Sequence, residues 1–202
     1  MVIGNMKFEM HKLPHLPSLL VLLPFVALLP AGSAYSATRD AGEHFFQQSF
    51  GDFSEELEMS REEGKTGVFV MFEEDDCPWC ARMKARVLNQ TDVQDYYRSH
   101  FRLLTVDVNG DELMTDFKGN ELAQKTYAEK NRVRATPVMI FFDLNGDVAV
   151  RYTGAVRSPQ EFLWLGEFVV DGHYKTGKFT VYKREKKKAL SAPGSQPQES
   201  GS

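Results

Sequence analysis

Cys77 and Cys80 are the only two cysteines of the 202-residue chain, and they lie in a Cys-Pro-Trp-Cys sequence. A strand-like apolar run precedes them and a helix-like run follows, so the pair falls in the first turn of a predicted helix. At this spacing a disulfide can close with little backbone movement. The free N–H groups and dipole of the helix N-terminus favour a thiolate on Cys77. The sequence therefore predicts a thiol–disulfide redox site.

A Cys-x-x-Cys pair is also half of a zinc site, so a second pair of ligands has to be considered. No further cysteine exists, and the histidines downstream of the pair lack the spacing of zinc ligands. His11 and His15 have that spacing, but they lie in a segment that is predicted to be removed. We therefore expect no metal and no cofactor.

The first 37 residues are typical of a secretory signal peptide. Lys7 and Lys12 precede an apolar run at residues 19 to 29, and small residues follow that run. The alternative is an uncleaved membrane anchor, since residues 13 to 38 carry no charge and are long enough to span a bilayer. Prolines within that stretch favour a cleaved signal. In both cases the domain lies outside the cytoplasm, and we expect it in the periplasm.

The remaining chain has the length of one domain and can bury a core without disulfide staples. A disulfide that closes so short a loop adds little stability, so the cysteine pair has another purpose. Without Lys7, Lys12 and Glu9, the 24 basic residues become 22 and the 28 acidic residues become 27, a balance near −5. This charge argues against a nucleic-acid partner.

Hydrophobic patterning predicts an α/β domain. The predicted elements are a helical region at residues 39 to 64 with a break at Gly51-Asp52, a strand at 66 to 72, helices at 78 to 88 and from 91, a strand at 101 to 108, a loop at 109 to 120, a helix at 121 to 131, strands at 138 to 143 and 148 to 152 around an Asn145-Gly146 turn, and a helix from 158. Two parallel crossovers, a β-hairpin and a covering helix give a mixed four-stranded sheet flanked by helices. Residues 178 to 202 are predicted as a basic, then disordered, tail.

Ala135-Thr136-Pro137 directly precedes the predicted strand at residue 138. Together with the Cys-Pro-Trp-Cys sequence after the first strand, this arrangement resembles the thioredoxin superfamily over residues 52 to 172. The resemblance implies a thioredoxin fold with a cis Thr136–Pro137 bond beside the cysteines. It also implies that the backbone of Thr136 pairs with an extended substrate and that the proline ring blocks metal capture. Residues 72 to 80, 136 to 146 and 162 to 174 are similar to exported thioredoxins of the SoxW type, found with bacterial sulfur-oxidation systems.

The two cysteines are expected to have different roles. Cys77 is the predicted attacking thiolate and the more exposed of the two, and Cys80 is the shielded thiol that resolves the mixed disulfide. Pro78 deletes a backbone N–H near Cys77, and Trp79 adds an aromatic ring that can pack beside a substrate. Because this dipeptide differs from the Gly-Pro of thioredoxin itself, the reduction potential cannot be carried over from that family member.

An acidic run at residues 73 to 76 leads into Cys77. Carboxylates so close to the thiol oppose thiolate formation and are expected to raise the pKa of Cys77, unless the run is only a solvated loop. In the thioredoxins a buried acid six residues before the first cysteine accepts the proton of the second thiol, but Met71 occupies that position here. Glu74 and Asp76 are the candidates to replace it.

The chain is thus predicted to be an exported thiol–disulfide oxidoreductase that reduces disulfides or sulfur adducts on partner proteins and acts as a monomer. The resemblance implies a membrane electron donor of the DsbD/CcdA kind. Two alternatives stay open at this point. One is a thiol oxidant of the same fold, and the other is a non-enzymatic copper or sulfur carrier that uses the same two thiolates.

Overall fold

The computed structural model describes residues 37 to 191. Residues 1 to 36 of the predicted signal peptide and residues 192 to 202 of the predicted tail lie outside the described residues. Within the described part of the chain, no helix is both long enough and apolar enough to cross a membrane.

Helices and strands alternate through most of the chain. The helices are α1 (Ala41–His44), α2 (Phe53–Glu62), α3 (Pro78–Met83) with a π-helical turn (Lys84–Leu88), α4 (Thr91–His100), α5 (Gln124–Lys130), α6 (Pro159–Val170) with a 3₁₀ turn (His173–Lys175), and α7 (Phe179–Ser191). The strands are β1 (Gly67–Glu73), β2 (Phe101–Asp107), β3 (Leu113–Thr115), β4 (Glu121–Ala123), β5 (Val138–Phe142) and β6 (Val148–Thr153).

The main sheet has four strands in the order β2-β1-β5-β6, and helices cover both faces. Strands β1 and β2 are parallel, whereas β5 is antiparallel to both β1 and β6. The predicted mixed four-stranded sheet is confirmed, but the second crossover is not parallel. The connection through α5 ends beside the carboxyl end of β1, where Val138 pairs with Phe72, so β5 has to run back along β1.

The apolar runs are buried because both faces of the sheet are packed. Along β1, Phe69 and Met71 face one core cluster, and Val68, Val70 and Phe72 face the other. This alternation follows from the two-residue period of a strand. The sequence prediction for β1 is therefore confirmed to within one residue at each end.

The segment between β2 and α5 differs from the prediction. Strands β3 and β4 pair antiparallel, so the predicted loop at residues 109 to 120 contains a strand and the predicted helix starts three residues late. Opposed side chains of Met114 and Leu122 enter the core, and the Asp116 carboxylate accepts the N–H groups of Lys118 and Asn120 in the turn. A three-residue strand is too short to show its period in a sequence.

The basic segment after Gly177 is a helix rather than a tail. The Phe179 and Tyr182 rings lie 5.6 and 5.5 Å from the Phe168 ring. Lys183 bonds to Glu161 of α6 at 2.7 Å, and Lys186 bonds to Glu167 of α6 at 2.6 Å. This packing orders α7, because its apolar and basic side chains meet an apolar and acidic face of α6. Residues 179 to 191 of the segment predicted as a tail therefore form a helix packed against α6, and the predicted domain boundaries stay predictions.

Asp52 is expected to stabilise the fold in a pH-dependent way. Hydrogen bonds from the Ser54 hydroxyl and from the Glu55 N–H at this N-cap of α2 hold the pKa of Asp52 below its usual value. Asp52→Ala should cost about 1 kcal/mol of unfolding free energy at pH 7. Since the folded-state pKa is lowered, this contribution is present above the unfolded pKa and is lost as the pH falls through the folded one. Urea unfolding from pH 7 to pH 3 measures the effect.

Asp52→Asn is the matched control, because it keeps an acceptor for the Glu55 N–H but cannot titrate. The gap in unfolding free energy between the protein and Asp52→Ala should narrow below about pH 4. The gap between Asp52→Asn and Asp52→Ala should stay constant. Equal pH dependence of the two gaps would contradict the assignment.

Candidate active site

Cys77 and Cys80 form a disulfide at the N-terminus of α3, with their Cα atoms 5.2 Å apart. Cys77 is the N-cap residue, and its Sγ accepts the N–H of Cys80 at 3.0 Å. Pro78 occupies the first turn, where a missing N–H leaves no hydrogen bond unmade. The helix N-terminus thus directs a backbone donor at the sulfur of Cys77, which favours negative charge there.

The disulfide is buried at the start of α3. Cys77 is 4% exposed and Cys80 is 2% exposed, so the predicted difference between them is small in the oxidised state. Trp79, by contrast, is 57% exposed, and the Arg82 guanidinium lies 5.9 Å from its ring centroid. The intervening dipeptide therefore presents an aromatic surface beside the sulfurs.

The bond between Thr136 and Pro137 is cis, as the resemblance implied. The Thr136 hydroxyl donates to Glu74 Oε1 at 2.7 Å, and the Asn109 amide donates to Glu74 Oε2 at 3.2 Å. Glu74 therefore joins the loop before Cys77 to the loop before β5. This carboxylate holds Thr136, and its predicted part in proton transfer stays a prediction.

The acidic groove lies on one side of the disulfide and has a volume of about 520 Å³. Cys77 and Cys80 are part of its lining, as is the carboxyl-terminal half of β2. Its other principal side chains are Phe50, Glu73, Glu74, Asp75, Lys84, Asp107, Glu112 and Leu113. Asp76, the second predicted proton acceptor, is exposed and does not line this groove.

The tryptophan groove lies on the other side of α3 and has a volume of about 430 Å³. Trp79, Arg82, Met83, Thr136 and residues 154 to 157 line it. The structure thus brings Thr136 to the same groove as Trp79, and Glu74 to the same groove as the cysteines. Within residues 37 to 191, no three His, Cys, Asp or Glu side chains are grouped as they would be to hold a metal ion.

A family model described as the Thioredoxin-like domain matches residues 53 to 169. The chain belongs to this family. The match spans the disulfide, the cis-proline loop and α6, so the predicted thioredoxin fold is confirmed. No curated protein matches the chain.

Three solved structures illustrate what the chain is similar to. A thioredoxin-fold protein from Helicobacter pylori is 22% identical, with 62% of this chain and 86% of that chain covered and a TM-score of 0.53. A DsbH oxidoreductase is 16% identical, with 70% and 95% covered and a TM-score of 0.50. A putative disulphide-isomerase from Bacteroides thetaiotaomicron is 26% identical, with 71% and 100% covered and a TM-score of 0.49. The first two likenesses show the fold.

In this thioredoxin-like domain an ion pair that the sequence analysis missed lies beside the cysteines. Lys84 Nζ is 2.6 Å from one carboxylate oxygen of Glu73 and 2.8 Å from the other. Both residues line the acidic groove with Cys80, whereas the buried Met71 lies within the core. The available signal was Lys84 itself, four residues after Cys80 and therefore one helical turn along. The sequence did not single out Glu73, because this residue belongs to an acidic run that is predicted as one loop, whereas in the structure it ends β1.

Proposed function

We propose that the chain is an exported thiol–disulfide oxidoreductase that reduces disulfides or sulfur adducts on partner proteins. The observation that carries this proposal is the Cys77–Cys80 disulfide, closed at the N-terminus of α3 with the Cys80 N–H directed at Cys77 Sγ. A pair with these donors can alternate between a disulfide and a dithiol without rearrangement of the helix. Export to the periplasm and the SoxW-type specificity rest on the sequence.

The exchange requires two displacements and transfers two electrons. The Cys77 thiolate attacks one sulfur of the partner disulfide, whose S–S bond breaks, and the other partner sulfur leaves as a thiolate. The Cys80 thiolate then attacks Cys77 Sγ, and the second partner sulfur leaves. Each released thiolate takes up a proton, and the Cys77–Cys80 disulfide forms again. An electron donor, proposed to be a membrane carrier of the DsbD/CcdA kind, then reduces that disulfide.

The charges around the pair support a reducing direction. The exposed carboxylates of Asp75 and Asp76 lie just before Cys77 and oppose negative charge on its sulfur. Such repulsion stabilises the disulfide relative to the dithiolate form and makes the dithiol a better reductant. The carrier alternative gains no support from Met83, which is 1% exposed in the core and is not an accessible copper ligand.

A glutathione redox series tests the direction of electron flow. Trp79 lies between the two cysteines in sequence, so its fluorescence is expected to change with the state of the disulfide, and Trp79→Phe is the control for the signal of the buried Trp164. A reduction potential near thioredoxin's, about −270 mV, would support a reductant, and one near about −120 mV would support the oxidant alternative. A pair that stays closed throughout the series would contradict the proposal.

Glu73 is expected to accept the proton of Cys80 during resolution of the mixed disulfide. Its carboxylate is held by Lys84 and lines the same groove as Cys80. Removing the charge with Glu73→Gln should slow resolution by about a hundredfold. Single-turnover kinetics with a model disulfide, recorded from pH 5 to pH 9, separate this step from the initial attack.

Asp76→Asn is the matched control, since Asp76 directly precedes Cys77 in sequence but lies outside the acidic groove. In Asp76→Asn, the rate of mixed-disulfide formation should change by a smaller factor than the rate of resolution changes in Glu73→Gln. Slower resolution in Asp76→Asn than in Glu73→Gln would assign the proton transfer to Asp76.

A further inference from the structure

We infer that the acidic groove binds an extended, basic polypeptide segment of the partner protein, added as a strand to the outer edge of β2. This inference rests on the proposed function, because the partner is the protein whose disulfide is exchanged. Three independent features of the groove point to such an occupant: its charge, its exposed apolar side chains and an unpaired stretch of backbone.

The backbone of β2 leaves one residue open toward the groove. The backbone N–H and C=O groups of even-numbered residues in and beside β2 point toward β1. The C=O of His100 accepts the N–H of Thr66, and the N–H of Val108 donates to the C=O of Glu73. The backbone N–H and C=O groups of odd-numbered residues therefore point away from β1, toward the open edge of the sheet. The N–H and C=O of Leu103 are bound by Gln47, and the N–H of Asp107 is bound by the Gln124 side chain.

Thr105 lies between these two positions on the edge of the main sheet. Thr105 is exposed and lines the acidic groove. Its backbone N–H and C=O, which point outward, have no partner within residues 37 to 191. An edge strand with free donors and acceptors is a template for an added strand. Because Thr105 and the cysteines line one groove, a peptide held at Thr105 lies along the approach to the disulfide.

The charge of the groove selects a basic occupant. Among residues 37 to 191, five carboxylates line it, from Glu73, Glu74, Asp75, Asp107 and Glu112. The one cationic side chain that these described residues add to the lining, Lys84, is bound to Glu73. The carboxylates come from the ends of β1 and β2 and from the segment before β3, so the negative potential extends along the groove. A segment with several lysines or arginines complements this potential better than a single small cation does.

Exposed apolar side chains at the groove add a second requirement. Phe50 is fully exposed and Leu113 is 64% exposed, and both line the groove. Large apolar side chains exposed at a polar groove mark an interaction surface. The occupant therefore carries apolar residues between its basic ones, as an alternating strand does.

Peptide disulfides with thionitrobenzoate test the inference. Two peptides are used, each with a cysteine followed by alternating apolar and charged residues, lysine in one and glutamate in the other. The reduced protein, prepared with dithiothreitol and freed from it, supplies two electrons, and released thionitrobenzoate is followed by absorbance. We expect the lysine peptide to react about tenfold faster at low ionic strength, with the ratio falling toward one at high salt.

Two sets of variants separate charge from backbone pairing. Glu112→Lys should reduce the ratio of the two peptide rates severalfold, whereas Glu129→Lys on α5, outside the groove, should not. Thr105→Pro removes the outward N–H and is tolerated at an edge strand. It should react at least about threefold more slowly with the lysine peptide than Thr105→Val, which keeps the N–H.

An N-methylated lysine peptide with the unaltered protein gives the same test if Thr105→Pro fails to fold. It should also react more slowly than its unmethylated counterpart. Equal rates for the two charged peptides, or for the methylated and unmethylated peptides, would overturn the inference while leaving the proposed function intact. No release of thionitrobenzoate from either peptide would instead contradict the proposed function.

Discussion

The Cys80→Ser variant is expected to accumulate a stable mixed disulfide between Cys77 and the partner protein. Cys77 keeps its position as N-cap of α3, so the first attack on the partner disulfide proceeds. Resolution then fails, because a serine hydroxyl cannot displace the Cys77 sulfur. In the unaltered protein the two residues are held in one helical turn, with Cα atoms 5.2 Å apart.

The size of this effect follows from the proximity of the two cysteines. A group held beside its target has an effective concentration far above that of millimolar thiols in solution. Turnover should therefore fall by roughly a thousandfold or more in Cys80→Ser, with external thiol as the only route of release. Non-reducing electrophoresis and mass spectrometry of the intact adduct measure the trapped species.

Cys77→Ser is the control for this experiment. Serine is also a good N-cap residue, so α3 should keep its first turn while losing the attacking sulfur. No adduct is expected from this variant. Adducts that form through Cys80 alone would reverse the assigned roles. Metal uptake that survives in Cys80→Ser without any trapped partner would favour the carrier alternative.

The Arg102→Leu variant is expected to lose about 3 kcal/mol of unfolding free energy or more. Arg102 of β2 bonds to Glu56 of α2 through Nε at 2.8 Å and Nη2 at 2.7 Å, and through Nη1 to Glu63 at 3.0 Å. Glu56 is 3% exposed, so removal of the guanidinium leaves a buried carboxylate without its cation. Small domains have only about 5 to 15 kcal/mol in total, so the loss is large.

Urea unfolding at pH 7 measures this change against two comparisons. Arg86→Leu replaces an exposed arginine that has no ion pair among the described residues, and it should change the unfolding free energy by less than about 0.5 kcal/mol. The double variant Glu56→Leu/Arg102→Leu should recover most of the loss, because no buried charge remains unpaired. Equal effects of Arg102→Leu and Arg86→Leu would show that the pair contributes little.

Much of the architecture was predictable because apolar runs and turn residues that are adjacent in sequence identify the core strands. Continuous apolar runs identified β1 and β5, since strands covered on both faces have no polar side. The Asn145-Gly146 turn was also predictable, because this dipeptide favours a tight hairpin turn. In the structure Gly146 has a φ of 78°, and the Asp143 side chain accepts two N–H groups of the turn.

The differences from the sequence prediction arise where distant segments meet. The direction of β5 depends on where α5 releases the chain, which no local pattern records. Strands β3 and β4 are too short to show a period, and α7 is ordered by the rings and carboxylates of α6. The Glu73–Lys84 ion pair joins the end of β1 to the turn after α3, and the Glu74–Thr136 hydrogen bond joins two loops that lie 62 residues apart in sequence.

The sequence by itself determined the redox pair and its place at a helix start, because two cysteines three residues apart can meet only through a local turn. It also determined the proline that precedes β5. Only the tertiary structure decided what surrounds that pair, namely the Glu73–Lys84 ion pair, the Trp79 surface and the open edge of β2 at Thr105. The physical reason is that a disulfide is closed by neighbours in sequence, whereas a groove is formed by segments that only the folded sheet brings together.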